Sequence, residues 1–168
     1  MSGVAVLRYL LANNAAVIAV VPAARIMAGS LPINTVLPAI ELAQISSVVA
    51  FRSIRLTEQA RTHTDRVQVT ALFKDTDAGG TGYPGVKALL KKMFWACPNQ
   101  YAVVNGVLCQ SIIPDLEQVG AADEGTDLIS GSRDFMVTYQ EVPPDNAMLN
   151  EDAATPILTP DLQYILLE

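Results

Sequence analysis

Eight residues, Arg66–Phe73, alternate strictly in character. Val67, Val69, Ala71 and Phe73 fall on one side, and Arg66, Gln68, Thr70 and Leu72 on the other. Successive side chains of a strand point to opposite faces, so this run predicts a half-buried strand, the clearest in the chain. A strand of this kind needs partners along its edges and an apolar cover on one face.

Partner strands are predicted at Arg25–Ala28, at Ala39–Ile45 and at Ser132–Val142, where Phe135, Val137 and Tyr139 share a face. Tyr101–Val104 and Val107–Ile113 flank Asn105-Gly106, a pair that accepts the positive φ angles of a tight hairpin turn. Cover is supplied by two helical stripes. Val4, Leu7 and Leu11 recur at helical spacing, widened by Leu10 and stopped by Asn13-Asn14. Ala15–Val21 continues that helix or forms a second short one, ended by Pro22. Further on, Pro84 opens a helix whose apolar stripe is Val86, Leu89, Leu90, Met93 and Phe94. Lys87, Lys91 and Lys92 lie on its wet side, and Pro98 stops it. The expected fold is therefore α+β: a largely antiparallel sheet of four to five strands with helices on one face.

Three segments lack a period and are expected to be loops. They are Ser46–Thr64, which carries Arg52, Arg55 and Arg61, the Gly- and Asp-rich turn Asp75–Gly82, and the acidic Gly120–Gly131. Pro143-Pro144 ends the compact domain, giving residues 1–142 as one α+β domain. Residues 143–168 form an extended C-terminal arm that is acidic and finishes in the apolar run Tyr164, Ile165, Leu166, Leu167.

The chain is 51% hydrophobic and only 17% charged. Such a composition fills a core and leaves apolar surface for partners. The longest apolar stretch, Ala15–Ala24, is too short to span a bilayer and contains Pro22. No basic n-region precedes Val4–Leu11, so the start reads as a helix of the mature protein, made inside the cell, and no membrane partner is expected. Cys97 and Cys109 lie in apolar surroundings and read as buried free thiols.

No constellation for chemistry emerges. His63, alone of its kind, reads as a loop histidine. Cys97 and Cys109 have no C-x-x-C spacing or further ligands for zinc. Asp75, Asp77 and the following glycines fit neither an EF-hand loop nor a Walker A loop, and no Ser sits in a G-x-S-x-G elbow. No catalytic residue, cofactor or metal is expected. Arg52, Arg55, Arg61 and Arg66 invite a nucleic-acid reading, but Glu58 and Asp65 are interleaved and the chain carries −6 overall, which opposes counterion-release binding. An inter-subunit role fits them better. Residues 1–114 hold ten Lys and Arg against five Asp and Glu, a balance of +5, while residues 115–168 stand at −11. Opposite ends of opposite sign favour head-to-tail contacts between copies, which close into rings where the rotation permits.

The order of motifs points to a family. A VAVLRYLL helix is followed by Ala15–Val21, then Arg25-Ile26, then Leu37-Pro38-Ala39-Ile40. After them come Arg66–Val69 (RVQV), a helix over Val86–Trp95, the residues Gly106, Val107, Gln110, Ser111 and Ile112, and Arg133–Tyr139 (RDFMVTY). In this order they resemble the tail-completion, or tail-terminator, proteins of tailed bacteriophages, over about residues 2–142. The resemblance implies a structural virion protein and not an enzyme. Such proteins form a ring, usually a homohexamer, at the head-proximal end of the tail, and are assembled in the host cytoplasm. Implied partners are further copies, the tail tube protein, a neck or head-completion protein, and the tail sheath where the tail is contractile. DNA passes through the lumen as cargo. On this reading Arg52, Arg55 and Arg61 with Tyr164, Ile165, Leu166 and Leu167 are subunit-interface candidates, and Asp123, Glu124 and Asp127 face the lumen. A head-completion or neck connector at the same joint is the alternative, with a non-viral interaction domain more remote.

Overall fold

In a computed structural model, residues 2–52, 61–74, 82–120 and 128–141 are described. Helices α1 (Gly3–Ala12) and α2 (Ala15–Ile18) lead through a single 3-10 turn, Ala23–Arg25, into strand β1 (Ile26–Ala28). Strands β2 (Ala39–Arg52) and β3 (Arg61–Lys74) follow, then helix α3 (Gly82–Ala96). Strands β4 (Ala102–Val104), β5 (Val107–Val119) and β6 (Leu128–Glu141) complete the order. The strands form one sheet in the order β1-β2-β3-β6-β5-β4. Only β1 and β2 are parallel; every other pairing is antiparallel.

The α+β expectation holds, with six strands in place of four to five. The two short edge strands, β1 and β4, fall within the predicted Arg25–Ala28 and Tyr101–Val104. Local chemistry sets the joints. Asn14 Oδ1 accepts from the backbone N–H groups of Ala16 and Val17 at 3.0 and 3.2 Å, so it caps α2 and separates it from α1. Asn105 and Gly106 take φ of 51° and 77°, the conformation expected of the β4–β5 turn.

The central pair behaves as its alternation requires. Val67, Val69, Ala71 and Phe73 on β3 lie opposite Phe135, Arg133, Gly131 and Ile129 on β6. All of these but Arg133 are buried, on the face that α1 and α3 cover. Leu7 and Leu11 of α1 and Leu89, Leu90 and Met93 of α3 are fully enclosed against it. Glycine permits the closest approach. A Cβ on Gly131 would stand 2.4 Å from Cγ1 of Val86, so α3 rests directly on β6 there.

Two loop expectations are overturned at their ends. Ser46–Arg52 belongs to β2 and pairs with Arg61–Arg66 of β3, so only 53–60 of the expected Ser46–Thr64 loop remain between them. The alternation fails there because the register shifts twice, between Gln44 and Ser46 and between Val49 and Phe51. Each bulge swaps the face on which the next side chain emerges, and this hides a strand from a period-2 reading. Likewise β5 runs on past Ile113 to Val119 through shifts at Cys109/Ser111 and Pro114/Glu117, and β6 begins at Leu128, inside the expected Gly120–Gly131 loop.

Candidate assembly surfaces

The sheet ends in two open edges. Strand β1 covers β2 only at Ile40–Leu42, and β4 covers β5 only at Val107–Cys109. Among the described residues, β2 beyond Leu42 and β5 beyond Cys109 have no strand on their outer side. The registers through β3 and β6 place these free stretches at opposite edges, offset towards opposite ends but overlapping at the level of Asp134–Thr138 of β6. Each carries apolar side chains that water would otherwise solvate: Ile45, Val48 and Val49 on β2, and Ile113 and Leu116 on β5.

Charge differs between the two edges. At the tip of β2, Arg52 stands opposite Arg61 in register, and Arg61 is exposed. The free part of β5 bears Asp115 and Glu117. Glu117 is ion-paired with Arg133, while Asp115 is exposed. Of the interface candidates read from sequence, the fold thus brings Arg52 and Arg61 together. Arg55, the arm residues Tyr164, Ile165, Leu166 and Leu167, and the acidic Asp123, Glu124 and Asp127 lie outside the described residues.

The sheet's second face carries none of the described helices. Its centre is polar and nearly neutral. Arg66 donates to Asp134 at 2.9 and 2.6 Å, and Gln68 donates to the other carboxylate oxygen at 3.3 Å. The hydrogen bond and charge of Asp134 raise the Arg66 guanidinium further above its already high range. Thr64 and Thr138 share a hydroxyl hydrogen bond of 3.0 Å. Below them, Gln68, Thr70, Gln118, Ser130 and Ser132 line a shallow hollow of about 310 Å³.

Under the helices lies one buried polar cluster. The Gly3 N–H at the start of α1 donates to the enclosed Asp65 carboxylate at 2.7 Å. A helix N-terminus favours a negative charge in that position. Burial and the Asp65 carboxylate raise the Tyr139 phenol, so it stays protonated. His63 is not a loop histidine. It sits on β3, stacked on the Tyr139 ring with centroids 5.6 Å apart, and its Nε2 approaches Glu141 at 3.1 Å. These groups bind one another and close the sheet onto α1; they open onto no described hollow.

Both cysteines are buried and unpaired, as the sequence suggests. Burial pushes the Cys97 thiol up to about 12. No group of His, Cys, Asp and Glu suited to a metal ion occurs among the described residues, and no described helix is long and apolar enough to cross a membrane. Sequence reasoning missed the exposed aromatic rim at the end of α3. Trp95 there is 70% exposed, with Tyr101 and Val103 on the following segment also bare. The signal available was Trp95 itself, lying off the apolar stripe of its helix.

No protein-family model matches this sequence, and no curated protein matches it. In fold, the chain is similar to a chain of the solved structure "Virion of native gene transfer agent (GTA) particle". The TM-score is 0.59 and the identity 12%, and the match covers 83% of this chain and 96% of that one.

Proposed function

We propose that this chain is a structural subunit of a phage-type particle that forms a ring at the head-proximal end of the tail. There it terminates the tube and joins it to the neck. The carrying observation is the fold match to a chain of a gene transfer agent virion, which takes in nearly the whole of that chain. Two features support a ring. The two apolar open edges differ and are offset, with Arg52 at the end of β2 and Asp115 on β5, which suits heterologous head-to-tail contacts. The domain also leaves Ile45, Val48, Val49, Ile113 and Leu116 exposed along those edges.

On this reading the tail tube protein lies on one side of the ring and a neck or head-completion protein on the other. A sheath is present where the tail contracts. The nearly neutral face around Thr64, Thr138 and Gln68 suits a lumen through which DNA slides, because fixed cations would hold phosphate. Asp123, Glu124 and Asp127 add negative charge at that lumen. The role requires no catalysis and no cofactor.

The test is direct. Purified protein is followed by light scattering across concentration and by negative-stain microscopy, then added to polymerising tail tube protein. Closed rings that cap tubes and fix their length are expected. A protein that stays monomeric at every concentration and leaves tube growth unchanged would overturn the reading.

A further inference from the structure

Trp95 is the chain's one tryptophan, and a residue of this size left 70% exposed marks a contact surface. Its ring touches a neighbouring aromatic side chain. It meets Phe94 edge-on with centroids 5.1 Å apart, and Phe94 lies beneath the Arg133 guanidinium at 5.0 Å. Two hollows flank it. One, of about 440 Å³, is walled by Lys87, Lys91, Phe94, Arg133 and Glu117, whose carboxylate is taken up by its ion pair with Arg133. The other, of about 380 Å³, is walled by Asn14, Ala16, Ala88, Lys91 and Lys92. Trp95 and Lys91 border both. Helix α3 contains no acidic residue. Among the described residues, no carboxylate lies within ion-pair distance of Lys87, Lys91 or Lys92. The surface is an aromatic ridge between lysines, suited to a segment both apolar and acidic.

Such a segment exists in the chain. Residues 142–168 hold five Asp and Glu and no Lys, Arg or His, and Asp161–Leu167 reads DLQYILL. We infer that the Trp95 ridge of each subunit receives Asp161–Leu167 of a neighbouring copy. Apolar side chains of the segment cover the indole while Asp161 faces the lysines. The nineteen residues between Glu141 and Asp161 span up to about 65 Å when extended. A domain of this size has a radius of gyration of only about 14 Å, so an adjacent subunit is within reach. A short segment in a shallow groove binds weakly alone; the ring supplies the effective concentration that makes the contact persist. The inference rests on the ring reading.

Tryptophan emission reports the groove without a label. Replacing Tyr164, Ile165, Leu166 and Leu167 together by Ser in the full chain is expected to move emission to longer wavelength and increase acrylamide quenching. Lys91→Glu does the same, and Asp161→Lys added to it brings emission part of the way back. The arm-substituted chain is then co-expressed with a full-length Trp95→Phe chain, which has an arm but no tryptophan. Mixed assemblies should regain the short-wavelength emission, because each indole meets a neighbour's arm. Light scattering on the same samples separates the two ideas. Rings whose emission ignores the arm overturn the docking alone, and so does an arm effect that the mixture fails to restore, since the arm then binds its own subunit. A full-length protein that forms no oligomer overturns both.

Discussion

Gly3 sits where no side chain fits. A Cβ there would stand 2.9 Å from Cβ of Asp65 and 3.1 Å from Cβ of Val137, and both belong to strands that cannot retreat. Gly3→Ala should therefore lift α1 from the sheet and weaken the bond from the Gly3 N–H to Asp65. The expected loss is about 1–3 kcal/mol, typical of an overpacked core, read from urea denaturation. Cys97 gives a pH signature. Its thiol ionises near 9.0 when free but stays neutral to about 12 when buried. Between those limits the unfolded chain has released a proton that the folded chain keeps. Stability should be intact below pH 9 and fall as pH rises, by about 1.4 kcal/mol per unit from this group. In Cys97→Ala the alkaline decline should be shallower, whatever its stability at neutral pH. An unchanged slope in denaturation curves on either side of pH 9 would place the thiol in contact with water.

At the scale of elements, helix α3 is seated by an absence. Gly131 on β6 leaves room for Val86, whose Cγ1 would be 2.4 Å from any added Cβ, and for Leu90 at 3.0 Å. Gly131→Val should push α3 outward and leave the β3–β6 ladder paired. Hydrogen exchange is expected to quicken in α3 amides while those of Val67–Ala71 stay protected; uniform loss of protection would show that helix and sheet unfold as one unit. The same elements show what a sequence displays and what it conceals. β3 was legible because fourteen residues pair with β6 without a shift, so inward and outward positions never trade places. β2 and β5 each contain two register shifts, so alternation in the sequence marks only their first halves as strand. The basic cluster was visible as residues, but not as the tip of a β2–β3 ribbon, since Arg52 and Arg61 meet only through the pairing of the strands. The exposure of Trp95 was invisible for another reason. A helix stripe says which residues face inward, while the neighbours of the outward ones come from elsewhere in the chain.

For the whole molecule, the open edges constrain how copies can join. A continuous sheet from one subunit to the next would need an unbroken row of donors and acceptors. Pro114 removes one N–H from β5, and bulges interrupt both free stretches. Devices of this kind normally protect an edge from strand addition. The edges therefore suit contact through side chains: Ile45 and Val48 of one copy against Ile113 and Leu116 of the next, with Arg61 near Asp115. Apolar contact of this kind supplies affinity, and the charges set which edge meets which. If copies join at these edges as proposed, Arg61→Glu alone should weaken assembly, as should Asp115→Arg alone, each by bringing like charges together. The double variant restores attraction with the signs exchanged, so ring formation should recover towards that of the unmodified chain. Mixing the two single variants offers the sharper case. One copy then presents two acidic edges and the other two basic ones, so only alternating rings satisfy every joint. Light scattering should show each variant mostly dissociated alone and assembled when combined. If the variants assemble no better together than apart, the joint lies elsewhere on the surface and the open edges are protected from contact altogether.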